Sequence, residues 1–324
     1  MENGVFCVIG AMVGAGFASG REIMAFFSRY GAYSWALIAL CAFFMTSLMH
    51  AVMLRAESVA ALTPKGIAAP LGRAVWRLLF TFTGGAMLAA AGQMGALTVP
   101  IRYARELSAF FTLLFCVFQP RDADKIGAPM GKLLIPALIA ALILCLRSEG
   151  SAVLTPKWTG KEGIIALISA LGYGALNVSL SAGVICEAGQ GKSKREKRKT
   201  ALLSGIALGA LLLIENSALL LHGEAVDAAL PTVLVLNRFG KEGLYLSAAV
   251  LYLAVVTTLN AQIRGLSSLL PEKGNRILCF FMTAAASQLG FQGIVQTVYP
   301  ALGWAAAVLA GIALFGKRAE TSSG

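Results

Sequence analysis

Ten stretches of this sequence are apolar over about the 20 residues that a helix needs to cross roughly 30 Å of hydrocarbon. In order they are Val5–Phe27, Tyr33–Leu54, Val75–Val99, Tyr103–Gln119, Gly131–Leu146, Gly163–Gly189, Thr200–Leu221, Gly243–Ile263, Ile277–Phe291 and Gly293–Phe315. The fourth, fifth and ninth are short. In lipid every backbone N–H and C=O must be satisfied within the protein, so segments of this length read as helices. Composition agrees, with 57% hydrophobic and 13% charged residues, where a soluble domain carries about 25% charged. The expected class is an all-α integral membrane protein of ten transmembrane helices, with the lipid bilayer as its first partner.

The basic residues test that count. If the N-terminus faces the cytoplasm, 18 Lys and Arg fall in cytoplasmic connections and 8 in outer ones, leaving Arg21 inside the first segment. The bias predicts cytoplasmic N- and C-termini. Six basic residues sit in "KSKREKRK" (Lys192–Lys199), between two apolar segments. That placement reads as a cytoplasmic loop beside anionic lipid, so the net charge of +11 does not imply nucleic acid as a partner. Polar connections of at most about twenty residues are too short for a second core, and the terminal "KRAETSSG" reads as a frayed tail. The first segment is too long, and lacks the basic leader, of a cleavable signal peptide. The cysteines form no CxxC or Cys/His cluster, so neither a disulfide framework nor a zinc site is expected.

Within the first segment, "GAGFASGREI" (Gly14–Ile23) places three glycines in seven residues, followed by Arg21 and Glu22. Each glycine costs about 1 kcal/mol in a helix relative to alanine, and charges are avoided where a helix faces lipid. The sixth segment, "IIALISALGYGALNVSLSAGVICEAG", carries Gly172, Gly174 and Asn177 at its middle, and Gly14 and Gly16 pair with Gly172 and Gly174 at one offset. Pro136 and Pro300 repeat the pattern in segments five and ten. Interrupted segments at corresponding places in two halves point to an inverted-repeat transporter, here a 5+5 repeat with broken helices 1 and 6. The repeats would be residues 1–147 and 163–318, joined by an outer connection 148–162 and followed by a tail 319–324. The alternative is that these glycines let helices pack closely.

The stretch "IGAMVGAGFASGREIMAFFSRYG" resembles the opening motif of the YkvI-type bacterial membrane proteins, "LGYGALNVSLSAGV" resembles the sixth helix of that group, and "KLLIPAL" its fifth. The resemblance covers nearly the whole chain. It implies the amino acid–polyamine–organocation transporter superfamily, the leucine-transporter fold and a bacterial cell membrane location. It also implies a sodium site built from two carbonyls of helix one with an alanine carbonyl and two hydroxyls of helix eight. Gly10, Val13, Ala254, Thr257 and Thr258 stand at the matching positions. Sodium-independent relatives tend to carry a lysine midway along helix five, whereas this segment has no charge between Lys132 and Arg147. The alternative for the two threonines is back-bonding to their own helix.

Breaking a helix frees backbone groups for a ligand. The half-helix starting near Phe17 would offer N–H groups to a carboxylate, with Gly14, Ala15 and Gly16 admitting close approach and Ser19 adding a hydroxyl. Tyr173, Gly174 and Asn177 would face them, Tyr173 and Phe17 either capping the solute or packing. Glu22 reads either as a proton carrier or ion partner, or as a structural or capping charge. Glu187 and Glu215, near segment ends, read as structural, and His50 and His222 as interfacial. Gln93 and Asn260 flank the expected cavity.

These readings lead to a secondary transporter of a small amino-acid-like solute, sodium-coupled, with proton coupling through Glu22 as the alternative. A transport-fold receptor that binds solute without flux is the competing class. An enzyme is not expected, since no HExxH, nucleophile–base set or Walker loop occurs, and no cofactor beyond a sodium ion is implied. Oligomeric state has no sequence signature here.

Overall fold

Apolar runs with polar ends become helices, and the chain leaves them at glycine, proline and charged residues. A computed structural model describes residues 2–63, 69–118, 123–150, 160–271 and 275–315. The expected tail 319–324, with Lys65, Arg121, Lys157, Lys273, Lys317 and Arg318 of the charge count, lies outside them, as does most of the 148–162 connection. The described residues form helices and turns without a strand.

The first apolar segment is three pieces, α1 (Glu2–Met12), α2 (Ala15–Ala18) and α3 (Arg21–Phe26). A 3₁₀ stretch Ser28–Tyr33 leads into α4 (Ser34–Arg55). Next come α5 (Ala69–Thr98), ending two residues before Pro100, then α6 (Ala104–Phe118) and α7 (Ala123–Arg147). The sixth segment divides into α8 (Gly160–Leu180) and α9 (Ala182–Gly189). It is followed by α10 (Lys194–Leu220), a short α11 (Pro231–Leu236) and α12 (Gly240–Ser268). The chain closes with α13 (Asn275–Ser287), α14 (Phe291–Gly293), a π-helical turn Ile294–Val298 and α15 (Tyr299–Phe315).

Two sequence expectations need correction here. The run Lys192–Lys199 is not a loop for most of its length. Ser193 opens a capping box, its hydroxyl accepting from Glu196 N at 3.3 Å while Glu196 Oε2 accepts from Ser193 N at 2.9 Å. The cap lets helix α10 begin at Lys194 and carry the basic side chains on its first turns. The sixth segment does not unwind at Gly172–Asn177 either. Helix α8 runs through all of it and the interruption comes at Ser181 (φ −97°, ψ 8°).

Six helical stretches among the described residues are long and apolar enough to cross a bilayer: Ser28–Arg55, Ala69–Thr98, Ala128–Arg147, Glu162–Leu180, Lys194–Leu220 and Pro231–Ser268. The other expected segments are seen as short or interrupted helices. Helices α6 and α13 have 15 and 13 residues, about 20 Å each at 1.5 Å per residue. The outside of the bundle is apolar, with Phe43, Phe111, Phe281 and Ile164 exposed. Buried inside are polar residues such as Glu22, Glu215, Asn216 and Gln262. This is the distribution of a multi-pass membrane protein, whose charges face the bundle interior.

Helices α5 and α12 form the most extensive pair, and α4 packs on α10, α1 on α7 and α8 on α15. Small residues set these distances. At Gly85 an added Cβ would lie 2.6 Å from Ala286 Cβ and 2.8 Å from its carbonyl carbon, so α5 touches the backbone of α13. Gly85→Ala must therefore move a helix, and we expect it to cost about 1–3 kcal/mol, read as a lower thermal midpoint of the purified protein in detergent. Gly311→Ala, where an added Cβ meets nothing within 4 Å, should leave the midpoint unchanged or raise it. An equal loss at both positions would contradict the close α5–α13 contact.

Candidate functional site

The first interruption lies at Val13 and Gly14, with Gly14 extended (φ −85°, ψ −177°). In an unbroken helix the N–H groups of residues 14 and 15 would bond the carbonyls of Gly10 and Ala11. Here Gly14 N donates to Met12 O at 3.0 Å and Ala15 N to the Met87 sulfur of α5 at 3.3 Å. The released carbonyls find another donor. Thr258 of α12 places its hydroxyl 3.3 Å from Ala11 O and 3.4 Å from Val13 O.

Of the residues expected to hold sodium, Val13 and Thr258 thus meet directly. Ala11 contributes the second carbonyl at Thr258, in the place expected for Gly10. Gly10 instead faces carbon atoms of Thr257, 3.7 and 3.8 Å from where its Cβ would be. The Thr257 hydroxyl donates to Leu253 O and Ala254 O at 2.9 and 3.0 Å, the back-bonding alternative. The donor set is neutral oxygen only, which fits a monovalent cation better than a divalent one.

A second break follows within seven residues. Gly20 has φ +75°, a left-handed conformation that favours glycine, and between the two breaks α2 makes one turn. The outer piece of this segment is therefore not one half-helix. The expected dipole at its start is correspondingly small, because a macrodipole sums over aligned peptides. Ser19 O accepts from Thr232 N of α11 at 2.9 Å, and the Ser19 hydroxyl donates to Gly16 O at 3.3 Å. Arg21 donates from Nη1 to Val226 O at 2.9 Å and Ala228 O at 3.2 Å. Its partner is the loop before α11, not the adjacent Glu22.

Glu22 is buried, 4% exposed. A Cβ added to Gly16 would collide with the Glu22 carboxylate and Cγ, so the space over Gly16 holds this side chain. Glu22 is close enough to act electrostatically on Tyr173, Tyr299 and Glu215. Phe17 and Ala15 are buried beside it in α2.

The residues named in segment six are explained by packing. Gly174 lies against α4, an added Cβ being 3.0 Å from Met45 Cγ and 3.2 Å from Cys41 Sγ, and Gly172 lies against Trp304. Asn177 Nδ2 donates to Tyr173 O at 3.0 Å within its own helix. These small and self-satisfied residues let α8 stay helical, so the break falls later, where Gln262 Nε2 of α12 meets Leu180 O at 3.3 Å. Tyr173 stacks on span-one aromatics, its ring centre 5.1 Å from Phe27 and 5.3 Å from Phe26.

Sequence reasoning undervalued Glu215. It is fully buried, and its Oε1 accepts from Thr232 Oγ1 at 3.2 Å. A carboxylate inside "LLLIENSALL" was the available signal, discounted for its nearness to the segment end. Thr232 had none, since a lone threonine in a connection is common. Asn216 next to Glu215 ties α10 to the first segment, its Oδ1 accepting from Ser28 at 2.9 Å and its Nδ2 donating to Ser34 at 2.8 Å.

His222 is buried at the end of α10 among Ser148, Cys145 O and Glu224. Glu187 pairs with Arg264 at 3.3 Å. A cavity of about 690 Å³ adjoins the Glu22 region, lined by Arg21, Phe26, Arg29, Asp227, Tyr299 and Trp304 among others. Gln93 borders a separate cavity of about 420 Å³ with Arg105 and Asn237.

This all-helical membrane bundle with an interrupted first segment is similar in fold to a solved membrane transporter. A solved structure of the Eremococcus coleocola manganese transporter, in complex with an aromatic bis-isothiourea substituted compound, matches with a TM-score of 0.54 over 97% of this chain and 76% of that chain, at 14% identity. In sequence the chain is similar to the uncharacterized membrane protein YkvI of Bacillus subtilis, 24% identical over 97% of this chain and 95% of that protein. It is also similar to YyaD of the same organism, 23% identical over 91% of this chain and 90% of that protein. The resemblance carried by the glycine motifs therefore extends over the chain's length. No family model matches it, and none of these three proteins is named as an enzyme.

The contact between Glu22 and Gly16 is open to test. Gly16→Ala should displace the carboxylate and lower the thermal midpoint, at a cost of about 1–3 kcal/mol. In a Glu22→Ala background the same change should cost far less. Equal costs in both backgrounds would mean that something else fills the space.

Proposed function

We propose that this chain is a secondary active transporter of a small amino-acid-like solute, working by alternating access and coupled to sodium. The observation that carries the reading is the break at Val13–Gly14, whose released carbonyls turn to Thr258 of α12. Irregular backbone at membrane depth is tolerated where it is buried in protein or lines a water-filled cavity, and here it leaves backbone oxygens for an ion to share.

The proposal includes ten crossing segments as two inverted five-helix repeats, 1–147 and 163–318, with both termini cytoplasmic. Helix packing supports this. The pair α1 with α7, segments one and five, has its counterpart in α8 with α15, segments six and ten. A two-fold relation would map third onto eighth and second onto seventh, and α5–α12 and α4–α10 are the two most extensive pairs. The solute region would lie between α2–α3 and α8, bordered by Gly14, Ala15, Phe17, Ser19 and Tyr173. Gly16 and Glu22 would act as one unit, and Gly174 and Asn177 would hold α8 in place. Sodium would sit between α1 and α12 at Val13 and Thr258, with Gly10, Ala254 and Thr257 around it. Manganese, the cargo in the structural neighbour's name, is less well supported here. Among the described residues no group of three or more His, Cys, Asp or Glu could hold a metal ion.

A specific observation favours proton coupling as the second reading: Glu22 is buried at the break and no ion pair among the described residues includes it. Uptake of labelled amino acids into proteoliposomes, with and without an inward sodium gradient, separates the readings. Sodium-stimulated uptake supports the first. Uptake insensitive to sodium but driven by a proton gradient supports the second, and solute binding without flux would make the protein a receptor.

The two threonines should differ. Thr258→Val removes the hydroxyl that meets the α1 carbonyls and should raise the half-saturating sodium concentration about tenfold, the worth of roughly 1.4 kcal/mol. Thr257→Val removes a back-bonding hydroxyl and should change it much less. Equal effects would argue against this sodium position.

A further inference from the structure

Two carboxylates lie inside the bundle without a basic partner. Glu22 is 4% exposed and Glu215 0%, and no ion pair among the described residues includes either. Arg21 does not reach Glu22, because its guanidinium is held by the carbonyls of Val226 and Ala228. Glu215 Oε1 has Thr232, but Oε2 has no hydrogen-bond partner. The Tyr299 hydroxyl, on a residue 1% exposed, is likewise without a partner. The Tyr173 hydroxyl approaches Glu22 without reaching good hydrogen-bond geometry. All four residues lie close enough to interact electrostatically around Glu22. They come from α3, α8, α10 and α15, so the convergence is made by the fold and not by one helix.

Buried polar groups are nearly always hydrogen-bonded, and an orphaned set calls for a missing partner. Burying an unpaired carboxylate costs several kcal/mol unless a cation meets it or a proton neutralises it. We propose that Glu22 and Glu215 form one cation seat, completed by Tyr173 and Tyr299, and that it takes the ammonium group of the solute. The inference rests on the transporter reading and assigns the residues that take the solute's ammonium group.

The chemistry of the walls selects this occupant. An ammonium group is all donor, and the carboxylate and phenol oxygens here are acceptors for it. The aromatic rings of Phe26 and Phe27 pack on Tyr173, and such faces suit an organic cation. A divalent metal takes six or more oxygen ligands in a defined array, and no group of three or more His, Cys, Asp and Glu that could hold a metal ion is found among the described residues. The 690 Å³ cavity is lined by Tyr299 of this seat and, further out, by Arg29. Arg29 there would suit the carboxylate of a zwitterion.

The test uses three molecules of one size and different charge: propylammonium chloride, 1-propanol and sodium propionate. Thermal unfolding of the purified full chain in detergent is followed against each, with sodium chloride and manganese chloride as further arms. Propylammonium should raise the midpoint where propanol and propionate do not. Glu22→Gln and Glu215→Gln should each raise its half-saturating concentration tenfold or more. Stabilisation equal for propanol, or a propylammonium response unchanged in Glu215→Gln, overturns the proposal. So does a Glu215-dependent response to manganese or sodium in place of propylammonium. If either Gln variant is not monodisperse, Tyr299→Phe removes only an acceptor, and an unchanged response there overturns the proposal equally. Amino-acid flux that survives Glu215→Gln unaltered removes the seat and keeps the transporter. Glutamate-dependent propylammonium binding without flux of any solute removes the transporter and keeps the seat.

Discussion

The break at Val13–Gly14 is possible only because something else satisfies the backbone that it releases. An unpaired N–H or C=O in a membrane interior costs several kcal/mol, so an interrupted helix needs partners from outside its own segment. Met87 of α5 approaches Ala15 N, and Thr258 of α12 approaches the carbonyls of Ala11 and Val13. These partners come from the two helices that pack most extensively on each other. The central α5–α12 pair therefore serves as the frame against which the irregular first segment is held. A cation at the same carbonyls would share that frame.

The second break depends on a different constraint. Gly20 turns the chain left-handed, and the main chain there is pinned by Thr232 N at Ser19 O. Thr232 also reaches Glu215, and Arg21 holds the loop leading to α11 through two carbonyls. One short element thus bears on the broken segment, on the buried carboxylate of α10 and on the rim of the large cavity. A movement of α11 would be felt at all three. Helix α1 packs on both α9 and α10, and the Glu187–Arg264 pair joins α9 to α12.

Close helix approach recurs through the fold. With lipid as apolar as leucine, helices associate through packing and interhelical hydrogen bonds. Gly85 against Ala286, Gly174 against Cys41 and Met45, and Gly16 beneath Glu22 are places where a side chain has no room.

Much of the architecture was legible because its cause is local. Segment lengths and apolarity determined an all-α membrane protein, and the glycines before Arg21 marked the first break at Gly14. Where local cues misled, tertiary contacts had decided. Gly172 and Gly174 were read as a break, yet α4 and Trp304 use them for close approach and α8 stays helical until Ser181. Thr257 and Thr258 are adjacent and alike in sequence, but the 100° turn per residue of a helix sends one hydroxyl to its own backbone and the other to α1. Glu215 sits five residues from a helix end, where a charge ordinarily reaches water. Only the position of α11 over that end, with Thr232 beside the carboxylate, makes it interior. Sequence determined which segments are apolar enough to enter a membrane, because hydrophobic transfer is summed residue by residue. Which polar groups meet inside it depended on how the fifteen α-helices among the described residues pack, a property that no single segment contains.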